Sequence, residues 1–379
     1  MEDNKGFYKT IIIGAGPAGL IAGKYLKDAL ILDQKKEIGR PVQCGEGLSY
    51  QALKIQKIKP DSSWISCKIN TVRRITPNNK IIGRFHKNLG YVIDRRTFEN
   101  FLAKKCRAKI KLNTQIIEIK KSNDLWQVIT ENGETFKSKY LIGADGVRSI
   151  VRKKIFQQEV EIIPALDYLI ELEKKVDRQT IKIYLDNEKY PQGYAWFFPK
   201  SEKTANIGLG GKGNLAEKFE WFMKEKIEKE YGNYRILENK SGLIPVRKEN
   251  SVFYKDGAML VGDAAGLADP IFKGGMNQAM LSGKIAAECI LKNKVEFYER
   301  KIKSMPFAEP KLIAASKIFY SFDNKILNEL GEVLEDRGTS YLKTVFGIIK
   351  FLSRPNLRKN FFKIYNFFSI WRKNRDYLW

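Results

Sequence analysis

The stretch KTIIIGAGPAGLIAGKYL, residues 9–26, constrains this chain more than any other. An apolar strand runs into a glycine turn and on into a helix, with Gly14, Gly16 and Gly19 at the G-x-G-x-x-G positions and Ala18 between the last two. In that pattern the first glycine makes the turn, the second lets backbone approach a pyrophosphate, and the third brings helix close to strand. The helix amides and dipole then face the phosphates. Nineteen residues after Gly14 a second short apolar strand, in LILDQ, ends at Asp33, placed to accept hydrogen bonds from a ribose. Strand, turn, helix, strand and acid in that order predict a dinucleotide-binding unit.

Two later segments repeat the design. KYLIGADGVRSIVRKKI is an apolar strand leading into Gly143-Ala144-Asp145-Gly146, then Arg148, Ser149 and Arg152. GAMLVGDAAGLADPIFKGGMNQAM is another, ending at Gly262-Asp263 before a loop and a helix that opens at Gly274-Gly275. Three such segments suit a long cofactor lying across one domain. They resemble, in order, the fingerprint, DG and GD motifs of the FAD-dependent reductases and monooxygenases built like p-hydroxybenzoate hydroxylase, over residues 10 to about 290.

The resemblance implies FAD as cofactor, with Gly14, Gly16, Ala18, Gly19, Asp33 and Asp145 among its contacts and Asp263 at its ribityl or pyrophosphate region. It implies that the helix starting at Gly275 and Met276 points its amides at the isoalloxazine, where they would stabilise the negative charge of reduced flavin. Arg95, in YVIDRRTFENFLAKK, matches the family's FAD-contacting arginine, with Arg96 as its rival, and Ile116 in LNTQIIEI matches the backbone contact to adenine. Two residues depart from the pattern: Asp33 replaces the more usual Glu, and Lys273 stands where relatives carry glycine or another small residue. The Lys273 ammonium either adds to the charge stabilisation at the flavin or belongs to a solvated loop.

Residues 193–210, GYAWFFPKSEKTANIGLG, raise a different question. Side chains alternate along a strand, so Tyr194, Trp196 and Phe198 share one face while Ala195 and Phe197 share the other. A turn centred near Glu202 puts Gly208 opposite Trp196 and Gly210 opposite Tyr194. Either the rings cover the glycines in an ordinary core, or the wall of rings faces open space. GRPVQCGEGLSY, following the second strand, holds Cys44 and Glu46 in a glycine-rich loop with no apolar period to require burial.

The run P-V-x-C-G-E-G-L-S, and Y-x-W-x-F-P followed after eight residues by G-x-G, are similar to the archaeal geranylgeranyl reductases, especially the digeranylgeranylglycerophospholipid reductases. That similarity implies reduction of isolated C=C bonds in prenyl chains. It also implies a greasy tunnel lined by Tyr194, Trp196, Phe198, Pro199, Gly208 and Gly210, with Cys44, Gly45 and Gly47 beside the flavin. Cys44, Tyr194 and Trp196 are the candidate catalytic residues. A thiol of ordinary pKa, about 8.5, can act as an acid; Cys44 either supplies the proton or gates the flavin, and water is the rival donor. His86, the sole histidine, has no motif around it and reads as structural or surface.

Composition bounds the rest. With four cysteines scattered at 44, 67, 106 and 289 and no C-x-x-C pair, zinc, iron–sulfur clusters and a disulfide framework are disfavoured, so no metal is expected. The acidic start MEDNKG lacks a secretory basic region, and no eighteen-residue apolar window occurs, so a cytoplasmic protein is expected. The net charge of +25 fits drift toward lysine, nucleic acid or an anionic membrane. Its clearest concentration is the last forty residues, where nine Lys/Arg face one Asp among eleven aromatics. Two amphipathic helices separated at Pro355 are predicted there, either packed on the second domain as a cap over the tunnel or resting peripherally on lipid.

The fold class expected is α/β (α+β), with a Rossmann-like FAD-binding domain from residues 1–60, 85–155 and 250–295 and a mixed-sheet substrate domain from 156–249 with part of 61–84. A helical C-terminal segment, 296–379, completes it. The partners expected are a prenylated lipid and an electron donor, NAD(P)H or reduced ferredoxin, with no nucleic acid. The competing activities are a flavin monooxygenase or halogenase of the same fold, a quinone-linked dehydrogenase that would need cluster cysteines, and an RNA-binding flavoprotein that lacks any recognisable motif.

Overall fold

The structure is a computed structural model that describes residues 6–335 and 349–374. Residues 336–348 and 375–379, which carry parts of the two basic-aromatic helices expected near the C-terminus, lie outside the described residues.

Two sheets organise the chain. The first runs in space Tyr254–Lys255, Ala258–Leu260, Thr135–Gly143, Phe7–Ile13, Ala29–Leu32, Lys109–Lys111, and its last five strands are all parallel. Parallel strands covered on both faces read as continuous apolar runs, and the cores of these strands, Ile11–Ile13, Leu30–Leu32, Leu141–Ile142 and Ala258–Leu260, are buried without alternation. The helices Pro17–Tyr25 and Met276–Leu291 pack together on this sheet. Gly283 permits the approach, since a Cβ there would sit 2.2 Å from the Ala18 carbonyl oxygen.

The second sheet runs Tyr234–Val246, Glu161–Leu172, Thr204–Gly210, Tyr194–Pro199, Thr180–Tyr184, Ile65–Ile75, Ile81–Ile93, Gly47–Ser49. It is antiparallel except where Thr180–Tyr184 joins Ile65–Ile75. The mixed sheet expected of the substrate side is present, and it takes more chain than 156–249. Gly47–Ser49 and all of Ile81–Ile93 pair into it, because the short strand after the Cys44 loop has its open hydrogen-bonding partner there. The sheets therefore meet at that loop.

One face of the second sheet packs on the helix Leu215–Phe222 through Ala195, Phe197 and Phe222. The other face, with Tyr194 and Trp196, joins a cluster with Phe319, Phe322 and Phe367 from the C-terminal helices. The helical C-terminal segment thus caps the aromatic wall, and the rings Phe319 and Phe367 stack at 5.2 Å.

Candidate active site

The glycine turn divides its labour by contact. A Cβ on Gly14 would meet the Ala144 carbonyl oxygen at 2.2 Å, and one on Gly19 would meet the Gly14 oxygen at 1.9 Å, whereas Gly16 has nothing within 4 Å. The first and third glycines are packing requirements, and the second faces open space at the start of a helix with no side-chain cap. Asp33 accepts from the Ala15 amide at 2.6 Å and the Lys35 amide at 2.8 Å, so it ties the end of its strand to the glycine turn. Thr114, two residues before Ile116, hydrogen-bonds to the Asp33 carbonyl at 2.9 Å, which brings the start of the Ile116–Ser122 strand to the same edge.

The DG and GD segments are joined by Arg152, whose guanidinium donates to the Val147 carbonyl at 2.6 Å and the Ala264 carbonyl at 2.9 Å. Asp145 turns its carboxylate onto its own segment, accepting from the Ser149 hydroxyl at 2.6 Å and the Ile150 amide at 2.7 Å, and burial pushes its pKa up. Its geometry is that of a brace for the loop. Asp263 faces Gly275, where a Cβ would lie 3.3 Å from its Oδ1. Burial raises its pKa while Arg95 and Arg152 oppose the rise. The helix opening at Met276 has no side-chain cap, leaving its first amides for a ligand.

Between the two candidate arginines the structure distinguishes clearly. Arg95 pairs with the buried Glu99 at 2.7 Å and lies in the field of Cys44 and Asp263, which, with Glu99, raise its pKa. Arg96 is half-exposed and pairs with Glu37 at 3.1 Å. Arg95 is thus the arginine turned toward Cys44 and Asp263. His86 is exposed.

The hairpin register is the expected one, with Trp196 opposite Gly208 and Tyr194 opposite Gly210. Gly208, however, does not face a lumen. A Cβ on Gly208 would lie 2.5 Å from the Trp196 ring and 2.2 Å from the Leu166 carbonyl oxygen. The indole lies across Gly208 to reach the next strand, and its Nε1 donates to Asp167 Oδ1 at 2.8 Å. Trp196, Gly208, Asp167 and Lys240 form one row across four strands. The next row is Tyr194, Gly210, Ala165 and Gly242, with little side chain beyond Tyr194. Gln43 lies over Gly242, and Gly45 lies against the Trp196 and Phe198 rings. The floor of small residues thus sits beneath the Cys44 loop. Pro199, expected at the tunnel, falls by strand alternation on the opposite face with Ala195 and Phe197.

Glu46 fixes the loop, and sequence reasoning passed it by. It has a φ of +67° and is buried. Its carboxylate accepts from the Arg95 amide at 2.8 Å, Lys200 Nζ at 2.8 Å and Asn206 Nδ2 at 2.6 Å. Lys240 donates to Asn206 Oδ1 at 3.1 Å and stands 3.5 Å from Asp167. Asp167, raised by burial to about 6 against the pull of Lys240, closes this buried network on the indole. The signal for it was available: polar residues at the alternating positions of strands otherwise apolar.

Cys44 is half-buried at the centre of these groups. Its Sγ accepts from the Glu46 amide at 3.2 Å, and burial pushes the thiol pKa up despite Arg95. Tyr194 donates its hydroxyl to the Phe272 carbonyl, and burial raises its pKa well above the usual range. Lys273 is partly buried just before the helix start at Gly275. At φ +58° it occupies a conformation that favours glycine. Its Nζ donates to the Pro270 carbonyl at 2.6 Å and stacks on Tyr320 at 4.9 Å.

A parallel nucleotide-binding sheet joined to an antiparallel sheet with an aromatic wall is the architecture of flavin-dependent oxidoreductases. A flavin-dependent brominase superposes with a TM-score of 0.67 at 19% identity, covering 90% of this chain and 98% of its own, a likeness of fold alone. A geranylgeranyl bacteriochlorophyll reductase-like protein from Thermoplasma acidophilum superposes with a TM-score of 0.79 at 27% identity, covering 94% of this chain and 98% of its own. The geranylgeranyl reductase catalytic domain matches residues 161–244, the part that carries the aromatic hairpin and Asp167. A digeranylgeranylglycerophospholipid reductase of Methanosarcina acetivorans is 34% identical over 75% of each chain. That of Methanocaldococcus jannaschii is 30% identical over 95% of this chain and 99% of its own. The chain belongs to the digeranylgeranylglycerophospholipid reductase family.

Proposed function

We propose that this protein is an FAD-dependent reductase that saturates C=C bonds in the geranylgeranyl chains of archaeal membrane ether lipids. The observation that carries the reading is the Cys44 loop, clamped by Glu46 at the edge of the nucleotide cradle and laid over a floor of small residues beside Tyr194 and Trp196. The residues fit FAD: an open Gly16, two uncapped helix starts, and Arg95 and Asp263 between them. Bound FAD supplies hydride once reduced, with NAD(P)H or a reduced ferredoxin as the source of electrons.

The chain's own residues do the rest by placement. An isolated alkene has no carbonyl to polarise, so its carbon must be held about 3–3.5 Å from the hydride source. Rings and small residues hold it through apolar burial, at roughly 0.8 kcal/mol per methylene. Tyr194 and Trp196 have committed their polar hydrogens to Phe272 and Asp167, and they act as rigid walls. Cys44 accepts a hydrogen bond and keeps its own proton, and its raised pKa keeps the thiol protonated at neutral pH. It is the proton donor in this reading. The lipid is drawn from an anionic membrane on which the exposed face of the C-terminal helix rests. Among the described residues no helix is long and apolar enough to cross a membrane.

The test is anaerobic single turnover of the reduced holoenzyme with a geranylgeranyl ether lipid, followed by mass spectrometry. Addition of hydrogen pairs is expected, and Cys44→Ser should slow it roughly 100-fold or more with unchanged flavin content, the scale of a lost general acid. Vigorous lipid-dependent oxygen uptake in air without a saturated product overturns the reading in favour of a monooxygenase. Full single-turnover rate in Cys44→Ser removes the thiol from the chemistry.

A further inference from the structure

Residues 269–274 lead from the GD segment to the start of the helix Met276–Leu291, and side chains from the aromatic strand and from the helix Lys311–Tyr320 hold their backbone. Consecutive carbonyls are taken in turn. The Pro270 carbonyl accepts from Ser316 Oγ at 2.9 Å and from Lys273 Nζ at 2.6 Å, the Ile271 carbonyl from the Tyr320 hydroxyl at 2.5 Å, and the Phe272 carbonyl from the Tyr194 hydroxyl. Backbone polar groups taken out of water need partners inside the protein. Here those partners are side chains, so the path of the loop depends on where the side chains stand.

The loop is also closed on itself. Asp269, 1% exposed, accepts from the Ile271 amide at 2.9 Å, its own amide donates to the Gly274 carbonyl at 2.8 Å, and the Lys273 amide donates to the Asp269 carbonyl at 2.9 Å. A segment tied into such a ring shifts as one piece. Gly275 follows directly, set against Asp263 and ahead of the uncapped helix amides.

Tyr194 is the member of this clamp that belongs to the aromatic wall. Its ring lies 5.9 Å from that of Trp196 and 6.2 Å from that of Phe272, and Phe272 packs in turn on Phe319 and Trp371. One ring thus meets whatever lies on the wall, while its hydroxyl meets the loop that sets the helix start. A hydrogen bond weakens steeply as its angle departs from linear, so an apolar chain packed on the Tyr194 ring fixes the Phe272 carbonyl as well. Helix amides held in place favour negative charge beside them, which is the charge of a reduced flavin. We propose that Tyr194 is a positioning residue that couples the wall to the flavin-side helix start, so that an apolar chain on the wall binds the reduced holoenzyme more tightly than the oxidised one. Coupling of this kind is reciprocal, and the bound chain makes the flavin easier to reduce by the same factor. This rests on the prenyl-reductase reading.

The test uses diphytanylglycerol ether, a neutral probe with no double bond to reduce, titrated anaerobically in detergent into oxidised and dithionite-reduced holoenzyme. The wild type should bind it at least ~5-fold more tightly when reduced. Tyr194→Phe, which keeps the ring and removes the hydroxyl, should bring the two affinities within about twofold of each other. Tyr320→Phe unties the neighbouring carbonyl from the helix side and should keep the wild-type ratio; its collapse there too assigns the effect to the loop as a whole and overturns the role of Tyr194. Equal or reversed affinities in the wild type, or an undiminished ratio in Tyr194→Phe, overturn the proposal. Hydrogen exchange at amides 271–279 of the wild type guards against a misfolded Tyr194 variant. It should slow several-fold when the probe binds the oxidised holoenzyme, and unchanged exchange overturns the coupling. A probe that binds neither form refutes the prenyl-reductase reading together with the coupling, whereas one bound equally to both refutes the coupling alone.

Discussion

Gly208 shows how one missing side chain sets the chemistry of its neighbours. Because it has none, the Trp196 indole lies flat across it and meets Asp167 one strand further on. Gly208→Ala must push the indole or the Leu166 backbone aside, and urea unfolding should show a loss of roughly 1–3 kcal/mol, as for other overpacked cores. Asp167 gives a pH signature. Its folded pKa of about 6 exceeds the ordinary 3.8, so the folded state favours the protonated form. Stability on this account is greatest below the ordinary value and falls as pH rises through the folded one, by about 3 kcal/mol in total. Asp167→Asn should flatten that part of the stability profile, read by chemical denaturation from about pH 4 to about pH 7; an unchanged slope would contradict it. Asp269, also raised to about 6, leaves a second fall of the same sign in both proteins. At this scale the wall and its register were legible from strand alternation. Polar residues at alternating positions of apolar strands hinted at the Glu46 and Asp167 network, but its pairing was not legible, because its partners come from strands and a loop far apart in sequence.

Among elements, the glycine turn was readable almost to the atom because its constraints are local. Pro199 was misplaced where motif matching overrode alternation. The C-terminal helix Phe361–Asn374 has two faces. Ile364 and Phe367 are buried against the aromatic cluster, while Phe362 is 77% and Tyr365 61% exposed, beside the basic run at Arg358, Lys359 and Lys363. Aromatics interleaved with basic side chains suit the interface of an anionic bilayer, each basic residue contributing ~1 kcal/mol near the surface. The double variant Phe362→Ser, Tyr365→Ser should float with anionic liposomes several-fold less than wild type while its melting temperature stays within about 2 °C, since exposed substitutions cost little stability. Equal flotation of both proteins, or none by the wild type at low salt, would contradict the docking.

Across the whole molecule, the two sheets were legible as classes, and their junction was not. The Gly47–Ser49 strand crosses from the nucleotide side to the second sheet, and this crossing places Cys44 over the small-residue floor. Such a crossing is three residues long and leaves no periodic trace. It nonetheless brings the glycine-turn sheet, the thiol and the aromatic wall together.

The most direct measurement is a crystal structure of the FAD-loaded protein with a geranylgeranyl ether lipid. The account predicts a prenyl double bond beside the isoalloxazine, bordered by the Cys44 loop and the Tyr194 ring. Ordered water and polar contacts filling that space, with the lipid chain elsewhere, would contradict it.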